Sequence, residues 1–455
     1  MALINSPRRT NGTPRMPLLK RLFWVYFFLL IFEGALRKWV LPQLSAPLLL
    51  VRDPVALLII WEAYRTRKWP RQWSSVTGIL AAAMLALCFV QLVVGENPWF
   101  VALYGLRSYL LPFPVAFIMG ENLDTEDLRK FGTCTLWLLL PLVALEVAQY
   151  MAAPSSFLNK GAYKGLEQIT YAGAHVRASG TFSFVTGPSA YIPMAAAFIF
   201  YGIVNDRFAK KWLLWAASSA LILAIPVTGS RGMLILLTAT LACVAIAAMF
   251  GVSHLGSALK VLVVMVIVAV VVSRLPVFSE ATDTFLERIT SASGSEGGAE
   301  GTLHSRVDLP IVQAIDYSLS STQWYGNGIG LGSNVASTLL TGTQQFLAGE
   351  GEFERVIVEF GGPCGLAFML LRFLLAVLIA AKALSGVREG QPLAWFLVPT
   401  MFMALMSTLE QPTNQGFMVV AVGFSLAALN LVDIPVESAL IPNRRSARVH
   451  YDLRA

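Results

Sequence analysis

The fold is decided by the stretch KWLLWAASSALILAIPVTGSRGMLILLTATLACVAIAAMF, residues 211–250. It holds two apolar runs, 211–228 and 231–251, separated by the turn signal T-G-S-R. Each run comes close to the ~20 residues that a helix needs to cross a bilayer. Between them they have no polar face to present to water, so the pair predicts a transmembrane hairpin.

The same signature recurs along the whole chain. Candidate membrane helices fall near residues 19–36, 46–64, 76–95, 101–120, 131–152, 187–205, 211–228, 231–251, 257–275, 357–382, 393–409 and 415–432. The composition agrees: 56% of the 455 residues are hydrophobic and 13% are charged, against about a quarter charged in ordinary soluble domains. The expected fold is therefore all-α and integral to the membrane, with about twelve transmembrane helices. The expected divisions are a bundle of about nine helices over 1–275, an external loop over 276–356, three helices over 357–432 and a basic tail over 433–455.

Charge placement sets the expected orientation. The net charge of +7 does not sit on one polar face, as it would for nucleic-acid binding, but in short clusters between apolar runs. The clusters Arg8–Arg21, Arg65–Arg71, Arg207–Lys211 and Arg444–Arg454 share one side if both termini are cytoplasmic. The N-terminal apolar segment runs on without a small-residue cleavage site and reads as a retained first helix. The four cysteines, Cys88, Cys134, Cys243 and Cys364, lie in or beside apolar runs without C-x-x-C spacing, which points away from disulfides and zinc.

With this orientation two loops face outward, about 153–186 and 276–356. The larger is long enough to be functional. Its SASGSEGGAEGT stretch, 291–302, has the composition of a flexible connector or a mobile lid. Next comes VDLPIVQAIDYSL, which spaces Val307, Ile311, Ile315 and Leu319 as one face of an amphipathic helix, and FSEATDTFLERI reads the same way.

Residue types suited to chemistry collect on this outer side. The small loop ends in HVRASGTF with Arg177, and the hairpin turn places Arg231 at the membrane boundary. The large loop supplies His304 and Arg306 in H-S-R, then YGNGIGLG and GEGEFERVIVEFGG. Gly326, Gly328 and Gly330 lack the Lys-Ser/Thr pair and the strand-turn-helix context of a nucleotide loop; they fit tight turns or close approach to a ligand. Ionisable residues inside or beside helices, namely Arg52, Asp53, Arg107, Glu146 and Arg372, must face protein, water or ligand rather than lipid. Arg52 and Asp53 are expected to pair locally. Arg107 is expected either to join Arg177, Arg231 and Arg306 around an anionic group or to pair with Glu96 or Glu146.

On these residues the chain resembles the bacterial O-antigen ligase and O-antigen polymerase superfamily. The likeness rests on R-A-S-G-T-F (Arg177–Phe182), T-G-S-R-G (Thr228–Gly232), H-S-R followed by G-N-G-I-G-L-G, E-F-G-G (Glu359–Gly362), and the placing of a large external loop before the last three helices. It implies a GT-C-like membrane glycosyltransferase in the bacterial inner membrane with its site facing the periplasm. The implied reaction is inverting, metal-independent and free of cofactors, and it polymerises or ligates oligosaccharide units carried on undecaprenyl diphosphate. A chain-length regulator or export machinery is the implied partner.

Arg177, Arg231, Arg306 and Arg107 are then the diphosphate-binding candidates, with Arg231 and Arg306 also acting in catalysis. Where family members often carry a His, about eleven residues before the Gly of E-x-G, this chain has Glu350. Glu350 is thus the expected general base, with His304, Glu352 and Glu354 as alternatives, and the carboxylate tilts the expectation towards polymerase over ligase. A transporter or flippase of an anionic glycolipid is the rival expectation.

Overall fold

The structure is a computed structural model that describes residues 16–95, 97–162, 170–171, 175–250, 324–342 and 351–430. The expected ninth helix at 257–275, both amphipathic segments, His304, Arg306, Glu350 and the basic tail lie outside the described residues.

The described chain is helical apart from one short antiparallel ladder, β1 (Thr170–Tyr171) on β2 (His175–Val176). Its helices are α1 (Leu18–Ala35), α2 (Arg52–Arg65), α3 (Ser74–Val93), α4 (Trp99–Leu110), α5 (Pro112–Asn122), α6 (Thr125–Met151), α7 (Thr186–Val204), α8 (Lys211–Thr228), α9 (Arg231–Met249), α10 (Asn334–Thr341), α11 (Glu352–Phe360), α12 (Gly362–Arg388), α13 (Leu393–Met406) and α14 (Pro412–Asn430). Among the described residues eight spans are long and apolar enough to cross a membrane. The protein is multi-pass. Helices α1, α2 and α13 complete the bundle as shorter or more charged segments.

α14 is the central post: residues 415–428 are buried throughout. It packs on α5, α13, α7, α12, α1 and α6. One large apolar cluster gathers α1, α6, α7, α8 and α14, and a second gathers α3, α4, α5, α11, α12 and α13. By contrast α3 and α9 bury only 28% and 33% of their apolar windows, so their remaining faces are left for lipid.

Polar contacts divide the bundle into two ends. At one, Lys20 pairs with Asp124 and Asp127, the Asn122 amide reaches the Lys68 carbonyl, and Gln72 donates to Glu121. This basic end holds the positive clusters near Lys20 and Arg65–Arg71 together, as the charge pattern requires. The opposite, loop end gathers the C-termini of α1, α3, α6, α8 and α13 and the N-termini of α2, α4, α7, α9, α12 and α14.

Several expectations are corrected. The run 46–64 is not one helix: Pro42 and Pro47 start short 3-10 turns, and the helix begins only at Arg52. The run 357–382 breaks at Gly361, whose φ is +81°, whereas 101–120 is carried by one apolar span, Trp99–Asn122, in which α4 and α5 follow each other directly across Leu111. Arg52 and Asp53 do not pair with each other, because neighbours in a helix point about 100° apart. Arg52 Nε donates to Glu33 at 3.1 Å and its other arm reaches the Pro412 carbonyl, while Asp53 accepts from Arg107 at 2.8 and 2.9 Å.

Glu33 therefore joins α1 to α2 and, through Arg52, to α14. It also faces Arg37 at 3.5 Å, and all three side chains are buried. Removing one partner of such a pair strands charge in a dry interior at about 3–5 kcal/mol. Glu33→Ala is predicted to lower the melting temperature of the detergent-solubilised protein by several degrees, with Glu33→Gln falling between; an unchanged transition in the Ala variant would refute the role given to Glu33.

Candidate functional site

The loop end is built in two adjoining halves. In the first, the glycine-rich segment 324–333 is threaded between α3, α4 and α11. Gln91 of α3, fully buried, donates to the carbonyls of Tyr325 (2.5 Å) and Glu359 (2.7 Å) and accepts from the Ile329 amide at 2.7 Å. Asn327 N–H donates to the Val358 carbonyl at 2.8 Å, and the Asn97 amide to that of Ile329 at 3.2 Å. Glycine is required because Gly326, Gly328 and Gly330 all have positive φ, +73°, +139° and +96°. A Cβ at Gly326 would strike the backbone of Glu359 and Gly361, and one at Gly330 the backbone of Val101 and Gly105. The close approach that these glycines permit is to protein: backbone at Gly326 and Gly330, and the Asn97 side chain at Gly328.

Beneath this segment lies a tier of buried charge. Glu359 of α11 accepts from Gly332 N–H at 2.5 Å and from the Tyr109 hydroxyl at 2.9 Å. Arg372, wholly buried in α12, pairs with Glu352 and donates to the carbonyls of Leu405 (2.6 Å) and Ser407 (2.5 Å), so it ties α11 to the end of α13. Arg355 stands 3.8 Å from Glu410 in the turn between α13 and α14. Burial pushes the Glu359 carboxyl up to about 7 and holds Glu410 well above the ordinary carboxylate range.

The second half is organised by the R-A-S-G-T-F segment. Lys38, in a single π-helical turn that follows α1, donates its buried ammonium to Ser179 Oγ at 2.7 Å and to the Gly180 carbonyl at 3.0 Å. Gln149 of α6 accepts from Gly180 N–H at 2.8 Å. The Glu146 carboxylate lies just below, with neither oxygen receiving a hydrogen bond among the described residues. On the other flank the His175 ring stacks on Tyr150, their centroids 4.3 Å apart, and Ala178 packs with Tyr150 and Val227.

Val227 leads into the turn after α8. There Gly229 is left-handed and Ser230 caps α9 by accepting from Met233 N–H. The Ser189 and Ser230 hydroxyls meet at 2.8 Å. Next to that contact a cleft opens between α7, α9, α13 and α14, lined by Ala190, Leu236, Thr400, Ser407, Asn414 and Phe417. Met403, which also lines it, is half-exposed on the bundle flank. The buried Thr400 hydroxyl finds no partner among the described residues.

Of the residues expected from sequence, Arg177 and Arg231 sit on segments packed together at the loop end, both partly buried. Arg107 does not join them, and neither does it pair with Glu146: Asp53 takes both hydrogen bonds from its Nη1, and its guanidinium stacks over Tyr104 at 4.2 Å. Glu96, Glu350, Arg306 and His304 lie outside the described residues. Of the alternative bases, Glu354 is exposed, whereas Glu352 is engaged by Arg372. No group of three metal-ligating side chains occurs among the described residues.

Sequence reasoning passed over Lys38 and Glu410 and gave Glu359 no role beyond a motif position. A signal was present: each is an ionisable residue at the rim of an apolar run, where desolvation demands a partner.

No protein-family model and no curated protein matches the chain.

The role of Gln91 is directly testable. Gln91→Leu is nearly isosteric but leaves two carbonyls and one N–H without their partner, at about 1–3 kcal/mol for each group that stays dry. Limited proteolysis should then cut within 324–333 faster than in the unaltered protein; equal cutting rates would show that the segment is held by other means.

Proposed function

We propose that the protein is a membrane glycosyltransferase that polymerises or ligates oligosaccharide units carried on undecaprenyl diphosphate, acting at the outer face of a bacterial inner membrane during surface polysaccharide assembly. The observation that carries this reading is the packing of the Arg177 segment, through Ala178, against Val227 at the end of α8, just before the turn that leads to Arg231. An anionic head group needs cations from separate segments brought to one place in this way. The family resemblance of R-A-S-G-T-F and T-G-S-R-G supports the same reading.

In this reaction the acceptor oxygen attacks the anomeric carbon as the bond to the diphosphate breaks, with inversion. Negative charge grows on the departing diphosphate oxygens, so fixed donors aimed at them contribute most to the rate. Arginine suits the task because its planar fork binds two phosphate oxygens and stays charged at low dielectric. Arg177 and Arg231 take this role, with Arg306 supplied by the large loop. The proton of the acceptor hydroxyl passes to a base, assigned to Glu350 on its family position, with His304 as the alternative. A polysaccharide chain-length regulator or export complex is the proposed partner for the product.

A transporter or flippase of an anionic glycolipid is the second reading, favoured by the fully buried Glu146 close to Lys38. Reconstituted protein given a lipid-linked repeat unit separates the two readings. Longer lipid-linked chains or transfer to a second acceptor support the transferase; movement of the unaltered unit across the bilayer supports transport.

Arg231→Ala and Arg306→Ala are each predicted to abolish long-chain product while leaving the protein level in the membrane unchanged, and normal chain-length ladders from both would remove the arginine mechanism. Activity of the purified protein is predicted to survive EDTA; loss that Mg²⁺ or Mn²⁺ restores would show that a metal ion takes part.

A further inference from the structure

The charged tier under the glycine segment does not balance. Glu352, Glu359 and Glu410 are 8%, 0% and 4% exposed, and the cations among them are Arg355 at 2% and Arg372 at 0%. Three carboxylates against two guanidiniums leave one negative charge in a dry site. Arg107, a further cation on α4, is already neutralised by Asp53. Of the tyrosines nearby, Tyr109 spends its proton on Glu359, and Tyr104, which also feels Glu410, lies under the Arg107 guanidinium.

The imbalance localises to one side chain. Glu359 has its oxygens filled by Gly332 N–H and the Tyr109 hydroxyl. Among the described residues nothing donates a hydrogen bond to either oxygen of Glu410, and Arg355 stays at 3.8 Å. From α11, Glu410 is faced by the carboxyl of Glu359 first, then by Arg355 and Glu352. An ionised carboxylate buried without donors is costly, and the usual resolution is to bind a proton.

We propose that Glu359 and Glu410 share one proton, forming a carboxyl-to-carboxylate bridge that latches the α11 end and the glycine segment 324–333 onto the turn between α13 and α14, and that raising the pH releases this latch. With the proton the tier is neutral: three acids, two guanidiniums and one proton. The latch joins segments of this chain and binds no substrate, so it stands whether or not the transferase reading does.

The sign of the pH dependence follows from burial. Both carboxyls hold their protons more tightly in the folded chain than in the unfolded one, Glu359 up to about 7. The stabilisation is therefore complete below the ordinary carboxylate range and is lost as pH rises through the folded value. Beyond that point each further pH unit weakens the latch about tenfold.

The test uses the full chain in lipid nanodiscs, with hydrogen–deuterium exchange of peptides covering 324–333 measured from pH 5.5 to 9.5 and corrected for intrinsic exchange. The unaltered protein should lose protection about tenfold per pH unit above neutrality, while peptides of α7 do not change. Glu410→Gln, which carries a permanent N–H donor towards Glu359, should hold protection flat across the range. Infrared spectra of the unaltered protein should show a protonated-carboxyl band that titrates with the exchange, and Glu359→Gln should remove it. The same pH-dependent loss in Glu410→Gln, or no such band in the unaltered protein, overturns the latch; the infrared result needs no variant to fold.

Discussion

The architecture depends on how the bundle disposes of charge that its own helices carry into a dry interior. Glu33, Arg52 and Arg37 form the pivotal case. Three buried charges from α1, the turn after it and the start of α2 meet where α14 begins, and Arg52 spends one arm on the Pro412 carbonyl. Coulombic attraction at low dielectric is strong enough to fix helix positions, but only where geometry and hydrogen bonds offset desolvation. Because α14 is buried almost throughout, fixing its first turn orients the residues that pack on it from both apolar clusters. The interlock selects one arrangement of antiparallel helices among the many that apolar packing alone tolerates.

Much of the bundle was legible in the sequence because lipid imposes a single demand, about twenty apolar residues whose backbone bonds close on themselves. The runs that become α3, α6, α7, α8, α9 and α14 satisfy it, and their expected limits lie within a few residues of the observed ones, except that α6 starts six residues earlier than expected. The misreadings share a physical cause. Hydropathy averages over Gly361, which sits inside an apolar run, and so cannot see that the backbone turns there. The start of α2 was misplaced for the same reason, since PLLLV is apolar but its two flanking helices cannot fuse across Pro42 and Pro47.

The candidate site was legible as residue types and illegible as partnerships. That Arg52, Asp53, Arg107, Glu146 and Arg372 needed company followed from the cost of burying charge. Which company they found depended on contacts as far apart in the chain as Arg52 and Pro412. The glycine string illustrates the other limit. Its composition is equally consistent with a ligand cradle and with a segment wedged against protein, and only the positions of Gln91, Glu359 and Gly361 decide for the wedge.

The two halves of the loop end solve one problem by opposite means, and this bears on where chemistry is possible. Around Glu359 most donors are committed: the Gly332 amide, the Tyr109 hydroxyl and the Arg372 guanidinium all serve protein acceptors. Around R-A-S-G-T-F the backbone itself does the holding. Lys38 and Gln149 clamp Ser179 and Gly180, and Gly34 lets α1 approach so closely that any Cβ there would strike Thr181–Ser183. That arrangement fixes the main chain two and three residues beyond Arg177. A phosphate-bearing substrate gains most from a cation that is positioned by its backbone before the ligand arrives, since less ordering remains to be done on binding. By that criterion the two halves differ: the second has its backbone fixed by its own clamp, whereas the first commits its charges to one another.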